Sequence, residues 1–451
     1  MFQTFKNAWK IPDLRKKMLF TLMIILLYRI GANLFVPFVN VDAIVSQTHT
    51  QELTAGVFGM LSLFSGGAFE QATLFALSVS PYITASIVIQ LLTIAIPALE
   101  RLSKQGEEGK KKINQITRIV TVVLALITAY GYVKLLESYG LLLIDKEANK
   151  AMYYFGMVTM VAAFCAGASI IMWLAERIND YGIGNGISII LFANIISRAA
   201  TMITELRNLM MSSNYDEITS QQQWKTGGEL AIGITEVVIF VVVFAALIGF
   251  IVWFTNSERR IPIQYAKRVV GRKMYGGQNS NLPLKLNMAG VMPIIFASSI
   301  VSILPTIANF TGGGFQTFVQ NWLDSGTPIY IISYIVLIWL FSYFYIMISF
   351  NPVEVSNNIR SQGGSVPGIR PGKPTSDYIK KILNRITTLG AFFLILVAGV
   401  PMIIGATVPD FARLATFGGS SLLILVGVAL ETAQQLEAQM SMRNYKGFLD
   451  N

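Results

Sequence analysis

Cysteine and histidine are almost absent from this chain of 451 residues. Cys165 stands alone, so no disulfide can form within the chain, and cysteine-based zinc sites are excluded. His49 also stands alone, which removes most metal centres and every histidine-based catalytic triad. Charge is scarce. Asp, Glu, Lys and Arg make up 13% of the residues, against about 25% in a soluble domain. Length alone suggests two or three soluble domains, but there is too little charged surface to solvate them. Disorder is excluded because 53% of the residues are hydrophobic. A phosphate-binding loop is missing too. Its nearest approximation, Gly368-Ile369-Arg370-Pro371-Gly372-Lys373-Pro374, has the wrong spacing and a proline after the lysine. Gly182, Gly184 and Gly186 alternate without forming G-x-G-x-x-G.

What the chain does have is apolar runs of spanning length. They cover 18–36, 72–97, 119–141, 152–175, 183–203, 231–254, 288–309, 328–350, 386–407 and 418–436. The expected fold class is an all-α polytopic membrane protein with ten transmembrane helices in two inverted five-helix halves. The first run continues to Phe38 with no small-residue cleavage site, so it reads as a span and not as a signal peptide. If the spans alternate, loops on the side of the termini hold 27 Lys and Arg, and the opposite side holds 7. Arg29 lies inside the first span, and acidic residues divide equally between the sides. That asymmetry places both termini in the cytoplasm. The expected segments are a cytoplasmic start at 1–17, an N-terminal half at 18–203, an external linker at 204–230, a C-terminal half at 231–436 and a cytoplasmic tail at 437–451. Inverted halves are frequent in proteins that move something across a membrane. The spans hold few ionisable groups, Arg29 and Glu236 being the clear cases. That weighs against an ion-driven transporter of small solutes, the main alternative function.

Two cytoplasmic loops exceed a connector's needs. Residues 255–287 hold seven basic side chains and one acid, Glu258, over about 30 residues, where bundle connectors take 2–8. Arg259 and Arg260, Lys267 and Arg268, and Arg272 and Lys273 come as pairs, with Tyr265 and Tyr275 interleaved. Such pairs serve either as topology determinants or as contacts for phosphate backbones and acidic proteins. In 351–385, the stretch 363–374 holds seven Gly or Pro residues and cannot be a helix. Arg370 lies within it. A stiff turn bearing an arginine fits a docking finger, and it fits a solvated turn as well. A membrane scaffold that recruits ribosomes or nucleic acid is a third functional reading.

Five strings together resemble the SecY family, the channel-forming subunits of the bacterial protein translocon. They are Ser80-Pro81-Tyr82-Ile83-Thr84-Ala85-Ser86-Ile87, Tyr181-Gly182-Ile183-Gly184-Asn185-Gly186-Ile187-Ser188, Leu282-Pro283-Leu284-Lys285-Leu286-Asn287-Met288-Ala289-Gly290, Val366-Pro367-Gly368-Ile369-Arg370-Pro371-Gly372, and Phe417-Gly418-Gly419-Ser420-Ser421-Leu422-Leu423-Ile424. The resemblance runs in order along the whole chain. It implies an hourglass channel for unfolded polypeptides, with a waist of Val79, Ile83, Ile187, Leu191, Ile295 and Ile424. It also implies a plug at about 59–69, with Phe64, Ser65, Gly66 and Gly67. A lateral gate would separate the second and third spans from the seventh and eighth, with Gln90 near the seam. The resemblance implies membrane partners SecE and SecG, the SecA ATPase or a ribosome on the basic loops, preprotein signal sequences, membrane lipid, and location in the bacterial cytoplasmic membrane. No cofactor and no covalent chemistry are expected, so energy must come from a partner. An aliphatic waist suits the task because it excludes water without binding any particular side chain. Val79 and Leu191 replace the isoleucines more frequent in the family, and Ser78 and Ser80 add hydroxyls near the waist.

Overall fold

The computed structural model describes residues 2–41, 65–144, 150–209, 211–215, 222–224, 228–265, 268–270, 273–275, 279–311, 313–323, 327–407 and 419–446. Helices dominate, as hydrocarbon requires. A spanning backbone finds no water there and must satisfy its own N–H and C=O groups. The chain opens with α1 (Phe2–Trp9) and α2 (Pro12–Gly31). α3 (Ser80–Ala95) and α4 (Pro97–Ser103) meet at a bend of 106°. Pro97 enforces the bend by holding Ile96 in extended backbone (φ −108°, ψ 113°). α5 (Glu107–Ser138) and α6 (Lys150–Tyr181) form a long pair, followed by α7 (Gly186–Ser197) and α8 (Ala199–Leu209). Strands β1 (Met211–Tyr215) and β2 (Gln222–Trp224) pair in the region expected to link the halves.

The second half begins with α9 (Gly228–Asn256). Strands β3 (Glu258–Tyr265), β4 (Arg268–Val270), β5 (Lys273–Tyr275) and β6 (Asn279–Lys285) fill the first basic loop. α10 (Met292–Thr311), α11 (Gly313–Leu323), α12 (Pro328–Ser349), α13 (Pro352–Ser361), β7 (Gly364–Ser365), α14 (Lys373–Thr407) and α15 (Ser420–Lys446) complete the fold. Each of the ten apolar runs overlaps a helix. Among the described residues, six helices are long and apolar enough to cross a membrane, or seven if the bent pair is one span. Local composition explains why α2 and α15 fall short. α2 carries Arg15, Lys16, Lys17 and Arg29, and α15 turns polar from Glu431 onward.

Several element bounds differ from the sequence reading. The second run was expected from residue 72, but the helix begins at Ser80, because 72–79 is a chain of turns tied to Phe35 through Thr73. The fifth breaks at Arg198, between α7 and α8. Within the basic loop 255–287, β3 pairs antiparallel with β6 from Glu258↔Lys285 to Gln264↔Asn279. β7, from the second loop, adds to the free edge of β3 at Gln264↔Ser365. One small sheet thus joins both loops. Its apolar side packs Ile261, Ile263 and Leu284 on Ile359, Val366, Ile379 and Ile386.

The first two helices and the polar part of α15 meet on the face that carries this sheet. Thr4 Oγ1 donates to Glu437 Oε1 at 2.8 Å, and Lys17 Nζ donates to Gln439 Oε1 at 3.3 Å. Lys285 at the end of β6 donates to Gln434 on the same α15. Inside the bundle, backbone segments approach closely where glycine leaves room. A Cβ on Gly167 of α6 would stand 1.9 Å from the Leu74 carbonyl oxygen. Replacing Gly167 with Ala should therefore destabilise the bundle by about 1–3 kcal/mol. A lower thermal midpoint of the purified protein in detergent checks this.

Candidate functional site

Each of the four helices expected at the waist starts at a turn that its sequence dictates. α3 begins at Ser80, with Pro81 in its first turn, after Ser78 in the left-handed region (φ 51°) and Val79 at the N-cap. α7 is folded back on α6 by Gly184 (φ 85°) and Asn185. The Asn185 side chain caps the helix by accepting from the N–H groups of Ile187 (3.1 Å) and Ser188 (3.5 Å). Asn179 Oδ1 accepts from the Gly186 N–H at 2.8 Å. A Cβ at Gly186 would stand 1.9 Å from the Ala175 carbonyl oxygen. α15 begins beyond Gly419, where a Cβ would meet the Val397 carbonyl oxygen at 2.6 Å. On α10, the Ile295 N–H closes the first turn on Val291.

These turns bring the six positions into one apolar cluster. Val79, Ile83, Leu191, Ile295 and Ile424 are buried in it, and Ile187 is half-buried against it. The cluster draws on α2, α3, α6, α7, α9, α10, α12, α14 and α15. Ile187 and Leu191 are four residues apart and share a face of α7; Val79 and Ile83 are spaced alike. α10 packs against both α3 and α5, the seam expected of a lateral gate. Gln90 donates to Ser86 Oγ within α3 at 3.3 Å.

A polar layer adjoins the aliphatic one, and the sequence reading missed most of it. Asn194 Nδ2 donates to Ser78 Oγ at 3.5 Å, and both residues are buried. Tyr28 stacks on Phe75 nearby, with ring centroids 5.3 Å apart. The signal was available: Ile187, Leu191, Asn194 and Arg198 fall at i, i+4, i+7 and i+11, one continuous helical face that turns from aliphatic to polar. Ser65 is buried and its Oγ accepts from the Phe69 N–H at 2.9 Å. Gly66 and Gly67 take positive φ (66° and 91°). Phe64 and residues 59–64 of the expected plug lie outside the described residues.

On the sheet face, Arg370 is exposed at the tip of its turn. Thr375 Oγ1 donates to the Arg370 carbonyl at 2.8 Å, and Ser356 Oγ donates to the Gly372 carbonyl at 2.8 Å. Gly368 (φ 80°) and Gly372 (φ 100°) supply the bends. The guanidinium is thus carried on a braced backbone. Arg259 and Arg260 are exposed on β3, but neighbours on a strand project to opposite faces. Arg260 is also paired with Glu258 at 2.5 Å, so the two arginines do not act as one cation pair. Tyr265 packs into the sheet core. Lys267 and Arg272 lie outside the described residues, while Arg268 and Lys273 belong to the hairpin β4–β5, in register Arg268↔Tyr275 and Val270↔Lys273.

Comparison with known proteins gives a consistent result. The SecY family profile matches residues 73–433. A protein translocase subunit SecY of Streptomyces scabiei is 43% identical, and one of Bacillus subtilis is 40% identical; the match covers 100% of both chains in each case. Among solved structures, a protein-conducting channel superposes with a TM-score of 0.62 at 16% identity, over 96% of each chain. The Sec61 channel of a canine ribosome–channel complex superposes with a TM-score of 0.59, again over 96% of each chain. Replacing Asn185 with Ala should cost about 1 kcal/mol through loss of the α7 cap. A matching fall in thermal stability, with the helical circular dichroism retained, checks it.

Proposed function

Because the chain belongs to the SecY family, we propose that it forms the protein-conducting channel of a translocase, moving unfolded preproteins across a membrane and releasing apolar segments sideways into the lipid. The observation that carries this reading is the aliphatic waist. Val79, Ile83, Ile187, Leu191, Ile295 and Ile424 share one cluster and come from four helices of both chain halves. Such a constriction closes by excluding water. It parts around any side chain because it asks for no specific partner. A solute transporter would need convergent polar groups at this level, and these six side chains offer none.

The remaining parts follow from position. The ten helices form two inverted halves, 18–203 and 231–436, joined by the external linker 204–230. Residues 59–69 serve as the plug on the far side of the waist. Opening separates α10 from α3 and α5, at the seam close to Gln90. The bacterial cytoplasmic membrane is the site of action. Both termini and the sheet lie on its cytoplasmic face, in keeping with 27 basic residues on that side. SecE and SecG accompany the chain in the membrane.

The chain's role is passage, and the driving force is external. The SecA ATPase or a translating ribosome docks on the sheet and its turn. Arg370 is the principal contact, since its braced turn loses little freedom on binding. Arg259 and Arg260, Arg268 and Lys273, with Lys267 and Arg272, add long-range attraction for acidic or phosphate surfaces.

Two experiments test this reading. Cysteines placed at Ile187 and Ile295, with Cys165 replaced by Ser, should crosslink to a stalled secretory chain; no adduct at either position would overturn the channel reading. Replacing Ile83 or Ile424 with Asn should raise resting ion conductance in planar bilayers, and an unchanged baseline would place the constriction elsewhere. For docking, Arg370→Glu should abolish export while the chain itself still inserts in the membrane. Normal export by that variant would remove Arg370 from the interface.

A further inference from the structure

The aliphatic waist explains closure against water but not why the segment beside it keeps one seat. An apolar surface is non-directional and accepts many registers. The segment 65–79 is instead held by directional contacts. Glu70 Oε1 lies 2.9 Å from Arg198 Nη1, and the two side chains keep only 13% and 14% exposure. Arg198 directly follows α7, which carries Ile187 and Leu191. Four residues before Glu70, the backbone at Gly66 is enclosed. A Cβ there would stand 2.9 Å from Asn194 Oδ1, 2.9 Å from Ser197 Oγ and 3.1 Å from Arg29 Nη1. Ser197 Oγ also donates to the Gly66 carbonyl at 3.5 Å. From the other side, the buried Tyr132 hydroxyl donates to the Phe69 carbonyl.

The segment's own conformation needs such restraint. Ala72 (φ 47°) and Ser78 (φ 51°) sit in left-handed backbone, unfavourable for residues with a Cβ unless the surroundings impose it. Ser78 immediately precedes Val79. A shift of the segment therefore moves a waist residue as well as the plug.

We propose that Arg29, Glu70 and Arg198 are positioning residues of the channel seal, a polar clasp that fixes the segment after the plug on α7 and sets how readily it is released. The proposal rests on the reading of 59–69 as the plug. The Glu70–Arg198 pair supplies the specific register. The Arg29 guanidinium, with Asn194 and Ser197, closes around Gly66, whose left-handed backbone (φ 66°) disfavours a side chain. An ion pair with little water access resists partial displacement, because drawing it apart gives up a close opposite charge that water does not replace. Release is then all-or-none, which suits a seal that must hold until a signal sequence arrives.

The test uses the channel with its membrane partner subunits, reconstituted in planar bilayers. Glu70→Gln and Arg198→Gln should each raise resting ion conductance and export of preproteins with defective signals by about tenfold, the shift that corresponds to ~1.4 kcal/mol in the closing equilibrium. The double exchange Glu70→Arg with Arg198→Glu should bring both readouts most of the way back. A spin label at the exposed Gln71 should become more mobile in the single variants and regain its restraint in the exchange. Conductance opened by a signal peptide should stay at the parental value, which a misfolded channel would not keep. Parental resting conductance in the single variants, or an exchange as leaky as they are, overturns the clasp. Deleting 59–64 separates the two readings. If the deletion leaks while the charge variants do not, the clasp falls and the plug stands. If the deletion leaves the seal unchanged, both fall.

Discussion

Close approach of helix backbones is the interaction on which this structure depends. In lipid the usual driving force for burying leucine is lost, since the surroundings are as apolar as the core. Helix association must come from packing, and packing improves where backbones come near. Gly167 and Gly186 show the principle, because each stands where any Cβ would collide with a carbonyl oxygen of a neighbouring segment. Gly186 does more than pack. It seats the first turn of α7 against α6 and thereby aims Ile187 and Leu191 toward the shared apolar cluster.

The consequence is a bundle rigid at its turns and undemanding at its centre. Pro81, Asn185, Gly186 and Gly419 fix where α3, α7 and α15 begin. Ile83, Leu191, Ile295 and Ile424 then meet through contacts that any aliphatic neighbour could make. Under the proposed function, that lack of preference suits a constriction that must part for polypeptides of every composition. Directional chemistry lies on either side: Tyr28, Ser78 and Asn194 beside the cluster, and the sheet bearing Arg259 and Arg260 near the chain ends.

The sheet shows how tertiary structure changes the meaning of charge. Seven basic residues between 255 and 287 read as one basic loop. Pairing of β3 with β6 turns that run into a two-faced ribbon, and Glu258 takes up Arg260. Arg370 instead gains definition, because Thr375 and Ser356 brace the carbonyls around it. The turn comes from a local run of glycine and proline; its bracing comes from residues on two helices.

The sequence by itself determined the class of the protein, a helical polytopic membrane chain, and where its apolar runs and basic loops fall. Those properties rest on composition and local periodicity, which lipid reads directly through the cost of exposing charge or unpaired backbone. The same local logic made the start of α7 legible at Gly184-Asn185-Gly186, but not that of α3, which was expected at residue 72 and begins at Ser80. Tertiary structure alone decided that six aliphatic residues spread from 79 to 424 meet in one cluster, that β7 joins β3, and that Glu70 finds Arg198. The physical reason is reach: such contacts depend on how distant backbones approach one another, and no local spacing encodes that distance.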